Sequence, residues 1–294
     1  AATLLPAEAE APLDGPSLAW AVEPRLSVLL GGPKTGFRWQ AGIGGGARVG
    51  LGAGFAVSGS AARTLAGDLD GGLPSDSKLP RVRSDFARYA REGRSSIPTL
   101  YGERIWTPAP DVFARVTAGF LEPMFAGVSA EALWRPHDKP FALGLDLNWV
   151  AQRAYDGGFR SLGYSAATGH LSLYADLPVW NLYGVLRGGR YLAGDWGGTV
   201  EIGRRFASGI EVGGFATFTN VPFSRFGEGS FDKGIYLRFP LQLLGPETAS
   251  RAVATVRPVQ RDGGQRLAVD NPLWEVARDG RADALQRGFM GFVR

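Results

Sequence analysis

The stretch Phe141-Ala142-Leu143-Gly144-Leu145-Asp146-Leu147-Asn148-Trp149-Val150-Ala151-Gln152 decides how this chain is read. In a β-strand successive side chains point to opposite faces, so residues two apart share a face. Phe141, Leu143, Leu145, Leu147 and Trp149 then form one apolar face. Ala142, Gly144, Asp146, Asn148 and Gln152 form a small or polar face, with Val150 the exception. No helix puts these residues on two such clean sides.

The same period recurs from about Ser17 to Leu243. Val112, Ala114, Val116 and Ala118 oppose Phe113, Arg115 and Thr117. Ala126, Val128, Ala130, Ala132 and Trp134 oppose Ser129, Glu131 and Arg135. Leu171 and Leu173 oppose His170, Ser172 and Tyr174; Ile210, Val212, Ala216 and Phe218 oppose Glu211, Thr217 and Thr219; Ile235, Leu237, Phe239 and Leu241 oppose Tyr236, Arg238 and Gln242. Most segments are longer than the five or six residues usual in soluble sheets and fit the roughly nine to eleven needed to cross a membrane obliquely. Short links (Leu177-Pro178, Ala207-Ser208, Thr107 to Pro110) alternate with longer ones (Ala154 to Gly163, Val221 to Gly229), the asymmetry expected of periplasmic turns and external loops. Trp106, Trp134, Trp149, Trp180 and Trp196 sit near segment ends, where an amphipathic ring suits the headgroup level. These features predict an all-β protein, an antiparallel transmembrane β-barrel of about 12–14 strands. The competing architecture, a soluble sandwich or lipocalin-like barrel, would point the greasy face inward. About thirteen strand-like segments are visible, and single-chain bacterial barrels have an even number. The Gly/Asp/Pro-rich stretch from Ala66 to Pro80 is the place where a strand is miscounted.

Around the barrel, predicted for residues 17–244, lie two other regions. Residues 1–16 are Ala/Pro/Glu-rich and read as a flexible lead-in; the opening Ala1-Ala2-Thr3 shows no signal peptide, as in a processed or partial chain. Asp232-Lys233-Gly234-Ile235-Tyr236-Leu237-Arg238-Phe239 is similar to the assembly signal on the last strand of outer-membrane barrels. Residues 245–294 then form a short tail, expected in the periplasm. Within it Pro272–Phe289 can make an amphipathic helix, with Leu273, Val276, Ala277, Leu285 and Phe289 at helical spacing and Gly280 against it.

Composition removes several chemistries. With no cysteine there is no disulfide scaffold, thiolate metal site or cysteine nucleophile. A net charge of +4, scattered along the chain, leaves no basic stripe for nucleic acid. No apolar run is long enough for a membrane helix, which does not bear on strands. Gly42-Ile43-Gly44-Gly45-Gly46 has no Lys-Ser/Thr after it, so it is no phosphate loop and reads as a hairpin turn. His137 lies in an exposed turn. His170 and Ser172 share a strand face, but a nucleophilic pair also needs a supporting amide or carboxylate. Asp146, Glu131, Glu201 and Glu211 could suggest a glycosidase; pairing with Arg115, Arg135, Arg187, Arg205 and Arg238 on neighbouring strands is the simpler role. No catalytic site, metal or cofactor is expected, and the chain reads as a non-enzyme.

Several ordered motifs carry a resemblance: Ala114 to Gly119, Gly127 to Glu131, Thr168-Gly169-His170, Gly189 to Gly197, Phe226 to Gly234 and Arg261 to Leu267. From about Leu18 to its end the chain resembles the YjbH/GfcD family, specifically the C-terminal part of its members. The resemblance implies an outer-membrane protein working with exopolysaccharide or capsule machinery, and a missing N-terminal half that a partner chain could supply. It also implies contact with outer-membrane lipid and lipopolysaccharide, and with a polysaccharide. The candidates for that contact are the polar-face residues Arg115, Glu131, Asp146, Asn148, His170, Tyr174, Arg187, Tyr191, Glu201, Glu211, Tyr236 and Arg238, which suit sugar hydroxyls. Two roles are consistent with this: a component of polysaccharide biosynthesis or export, or a structural or docking subunit whose barrel is plugged and non-conducting.

Overall fold

The computed structural model describes residues 16–32, 36–72, 77–206, 208–226, 231–240, 251–256 and 262–278. They form one antiparallel sheet of fourteen strands. In chain order these are β1 (Ser17–Gly32), β2 (Gly36–Gly52), β3 (Phe55–Gly67), β4 (Ser95–Ser96), β5 (Leu100–Ala109), β6 (Val112–Phe120) and β7 (Phe125–Trp134). Then come β8 (Phe141–Arg153), β9 (Ser161–Asp176), β10 (Leu182–Arg190), β11 (Trp196–Arg205), β12 (Glu211–Thr219), β13 (Asp232–Pro240) and β14 (Arg251–Val256). Each pairs with the next, except that β5 pairs with β3 and the two-residue β4 lies off the path beside β3. Among the described residues β1 and β14 are the two ends, with no pairing between them. Three helices are short: α1 (Phe86–Glu92), α2 (Phe223–Phe226) and α3 (Leu273–Ala277). No described helix is long and apolar enough to cross a membrane.

Register follows the sequence pattern. Leu145 faces Leu171, Leu147 faces Gly169 and Asp146 faces His170 across β8 and β9, so apolar meets apolar or glycine and polar meets polar. What decides the use of the sheet is which face is covered. Along β8 the apolar residues are the exposed ones: Leu145 is 44%, Leu147 55% and Trp149 64% exposed, while Asn148 and Gln152 are buried. A water-soluble sheet does the opposite, because exposing contiguous apolar surface forfeits about 25 cal/mol per Å². Val150, out of pattern in sequence, is fully buried and packs with Val82, Leu121, Phe125, Leu192 and Leu267.

Successive links alternate between the two ends of the sheet. One end carries the long β3–β5 connection with α1, and the links 121–124, 154–160, 191–195 and 220–231. The other carries the tight turn at Ala53-Gly54 and the links 110–111, 135–140, 177–181 and 206–210. Gly54 has φ +77, and a Cβ there would lie 1.9 Å from the Ile105 carbonyl oxygen, so this turn requires glycine.

Four expectations change. Gly42 to Gly46 is the middle of β2 and not a hairpin; its glycines let neighbouring chains approach, as at Gly42, where a Cβ would meet the Arg63 carbonyl at 2.3 Å. The stretch from Ala66 to Pro80 holds the end of β3 and one 3-10 turn at Leu69–Gly71, and its residues 73–76 lie outside the described residues. The sheet continues past residue 244, because β14 pairs with β13. Residues 262–278 are not a free tail: they pack on the polar face, and the helix among them is α3, five residues long. The rest of the expected helix, from residue 279, lies outside the described residues, as does the lead-in to residue 15.

Candidate functional site: a charged interior crossed by the C-terminal segment

Residues 262–278 run from one end of the sheet to the other. At the long-link end, Asp262 accepts hydrogen bonds from the backbone N–H groups of Arg83 and Ser84 at 2.8 and 2.9 Å. Arg83 also pairs with Glu122, which accepts from the Ala268 N–H. Gly264 donates its N–H to Asp195 at 2.8 Å. Burial pushes the Asp195 carboxyl above its ordinary value, and this N–H pulls it back. Midway, Arg266 reaches Asp146 at 3.3 Å and Arg115 donates to the Asp270 carbonyl at 2.7 Å. At the short-turn end, Arg278 pairs with Glu211 at 2.8 Å.

These contacts require the sheet to curl. Asn271 donates to Glu103 on β5, while Glu275 pairs with Arg238 on β13. In the strand order β13 lies eight places beyond β5, a span of roughly 38 Å if flat at about 4.8 Å per strand. Four residues of chain reach at most about 14 Å. The strands therefore wrap the segment, and Trp274 seals the contact by stacking on Tyr174 with ring centroids 4.5 Å apart. Leu133, Tyr183, Val185 and Leu273 complete this cluster.

The twelve candidates for polysaccharide contact face this interior, whereas Gln242, also on a polar face by its period, lies outside the described residues. Arg115 and Glu131 pair at 2.9 Å, and Glu131 also accepts from the Leu273 N–H. Asp146 takes His170 at 3.1 Å, Asn148 at 3.0 Å and Arg266. Tyr191, in the link after β10, bonds Thr199 at 2.7 Å. The Tyr236 hydroxyl donates to Glu201 at 2.7 Å and lies 2.6 Å from Tyr183. Glu211 gathers Arg205, Arg238 and Arg278. The expected ladder of acids and arginines is thus present at Glu131 and Glu211. Asp146 instead uses a cation from the C-terminal segment, and Glu201 a phenol. Ser172 accepts from Arg187 at 3.2 Å and His170 is held by Asp146, so no described hydrogen bond joins Ser172 to His170. His137 is exposed and meets Asp111. No group of acids and histidines among the described residues could hold a metal ion.

Sequence reasoning missed the partners from the C-terminal segment and Arg153. The latter is buried at the end of β8, donating to the carbonyls of Ile97, Pro98, Glu122, Gly157 and Gly158 and so tying three links together. The ordered motif from Arg261 to Leu267 was the available signal for the segment. Two cavities remain beside it, of about 810 and 460 Å³.

The family model for exopolysaccharide biosynthesis protein YbjH matches residues 7–279. This chain belongs to the YjbH family. It is also 38% identical over 269 residues to an Escherichia coli (strain K12) protein described as "Uncharacterized lipoprotein YjbH", covering 88% of this chain and 38% of that one. The chain therefore spans about two fifths of the length of this curated YjbH relative.

Proposed function

We propose that the chain is an outer-membrane β-barrel component of exopolysaccharide or capsule biosynthesis and export, contributing no chemistry of its own. The observation that carries this reading is the inverted burial: apolar side chains outside, ion pairs inside, on strands of nine residues or more. Lipid is the surrounding in which that arrangement is favourable, and closure of the sheet would leave no edge unpaired there. Membership of an exopolysaccharide biosynthesis family supports the pathway, and the description of the relative as a lipoprotein supports an envelope location. With the short turns in the periplasm, Arg278 would sit at the periplasmic end, and a periplasmic tail would begin there. Lipopolysaccharide would surround the apolar face, polysaccharide would be the cargo, and a protein partner could supply the part that the longer relative has in addition.

A second reading is favoured by the crossing segment. A barrel of this size filled by residues 262–278 suits a structural or docking subunit that passes nothing. One set of measurements tests both. Deleting the gene should lower secreted polysaccharide, and the protein should fractionate with outer membranes; an inner-membrane or soluble distribution would sink the barrel reading. In planar bilayers the full chain should be silent and a variant lacking residues 262–278 should conduct. A conducting full chain would remove the plugged reading, and a silent deletion variant would remove the conduit.

A further inference from the structure

Inside this protein arginines meet carboxylates or backbone carbonyls directly, and Arg187 differs. Arg115, Arg238, Arg266 and Arg278 each have a carboxylate within 3.3 Å. Arg153 has six backbone carbonyls, that of Pro123 included. Arg187 has only hydroxyls, from Ser172 and Tyr174. It is central on β10 and lines both cavities. Glu201, on the adjacent strand, also lines both and accepts only the Tyr236 hydroxyl. Among the described residues these two opposite charges form no ion pair with each other. Arg187 and Glu201 attract each other across adjacent strands without touching, and the guanidinium's own hydrogen bonds go to neutral hydroxyls, so a ligand carboxylate would make the stronger charge-assisted bonds that those hydroxyls do not.

We propose that the two cavities together form a binding site for a carboxylate-bearing sugar unit, with Arg187 holding the carboxylate and Glu201 accepting ring hydroxyls. The assignment rests on the polysaccharide reading above and adds the substrate class. A guanidinium presents two parallel N–H donors that fit one carboxylate, whereas Glu201 is a pure acceptor that fits hydroxyl donors. The cavities share six lining residues and lie in the size range of small-ligand sites, about 300–1,000 Å³. The two cavities differ in charge balance. In the larger, four arginines face five carboxylates (Glu131, Asp146, Glu201, Asp270, Glu275). In the smaller, four arginines face Glu201 and Asp232. The smaller cavity therefore has the cationic excess that an anionic group needs, and the larger, acid-rich one has the acceptors that hydroxyls need.

The experiment uses the purified full chain in detergent micelles, titrated with a trisaccharide of galacturonate and with maltotriose, followed by calorimetry. Galacturonate should bind more tightly than maltotriose, and high salt should weaken it. Arg187→Gln should lose about tenfold in affinity or more, the scale of one charge-assisted hydrogen bond, and Arg187→Lys should recover part of it. Lys139→Gln, at an exposed cation outside the site, should change nothing. Equal binding of the two sugars, no binding of either, or an unaltered Arg187→Gln variant would overturn the assignment. Should the glutamine variant not fold, the salt dependence and the preference between sugars in the natural protein decide it alone. Insertion of the same samples into lipid vesicles separates the two failures: inserted protein that ignores galacturonate sinks the site and leaves the barrel reading standing.

Discussion

Strands β1 and β8 carry the same period-two pattern but live in different surroundings. On β8, exposed and buried residues alternate along Phe141–Arg153. On β1, every residue from Ser17 to Val28 is exposed. Their outward faces match: Leu18, Trp20, Val22 and Leu26 are as open as Leu145, Leu147 and Trp149. The inward faces differ, because β8 has Arg266 and its neighbours behind it and no described residue covers β1. Alternation in sequence therefore specifies which face points outward. Burial of the other face is added by a separate piece of chain, and β5–β13 have it while β1 does not.

The largest effect should come from removing what makes the difference. Trp274→Ala empties the space against Tyr174 and should cost about 3–5 kcal/mol. Denaturant unfolding in micelles would show it, and hydrogen exchange should quicken in β6–β13 but not in β1 and β2. Next comes the shared outward face. Leu145→Arg in the filled part and Ile43→Arg in β2 should each cost about 2–4 kcal/mol of insertion free energy, read as lost heat-modifiable mobility on gels. Loss at Leu145 alone would mean that β2 does not meet lipid, and Asp146→Asn should insert in either case.

Two glycines contrast more finely. Gly264 has φ +70, and a Cβ there would lie 2.8 Å from the Thr217 methyl, so Gly264→Ala should cost about 1–2 kcal/mol. Gly46, in the middle of β2, would give a new Cβ only ordinary contacts, and Gly46→Ala should gain about 0.5–1 kcal/mol. Thermal midpoints moving together would break the comparison. The smallest effect concerns Asp195. Its carboxyl is raised in the folded state by burial, so its contribution to stability is fully present below the ordinary carboxyl value and lost as pH rises through the folded one. Asp195→Asn should match the natural protein in acid and exceed it at neutral pH; the reverse order in melting curves would refute the sign.

Much of this was legible because the strand period is local. The faces of β6 to β13 follow from residues two apart, and so does the inward placement of Glu131, Asp146, Arg187 and Glu201. The β2 glycines were misread because glycine serves both turns and close strand approach, and only the partner strand distinguishes them. Arg266 and Asp146 are 120 positions apart, and no periodicity links them. Nor could a sequence reveal that Arg187 bonds hydroxyls and touches no carboxylate, since that is a property of all its neighbours at once. Closure of the sheet and its setting in a membrane remain part of the proposed function.

The bonds of Arg83 to Asp262 and Arg266 join residues 179 and 183 positions apart. Such closures come late, after the entropy of a long loop has been lost. A nascent chain must then carry Asp146, Glu211 and Glu131 without their last partners until residues 262–278 have been delivered. A chain cut short before residue 262 keeps its apolar exterior and its Arg115–Glu131 and Arg205–Glu211 pairs but leaves the inward face of β5–β13 uncovered.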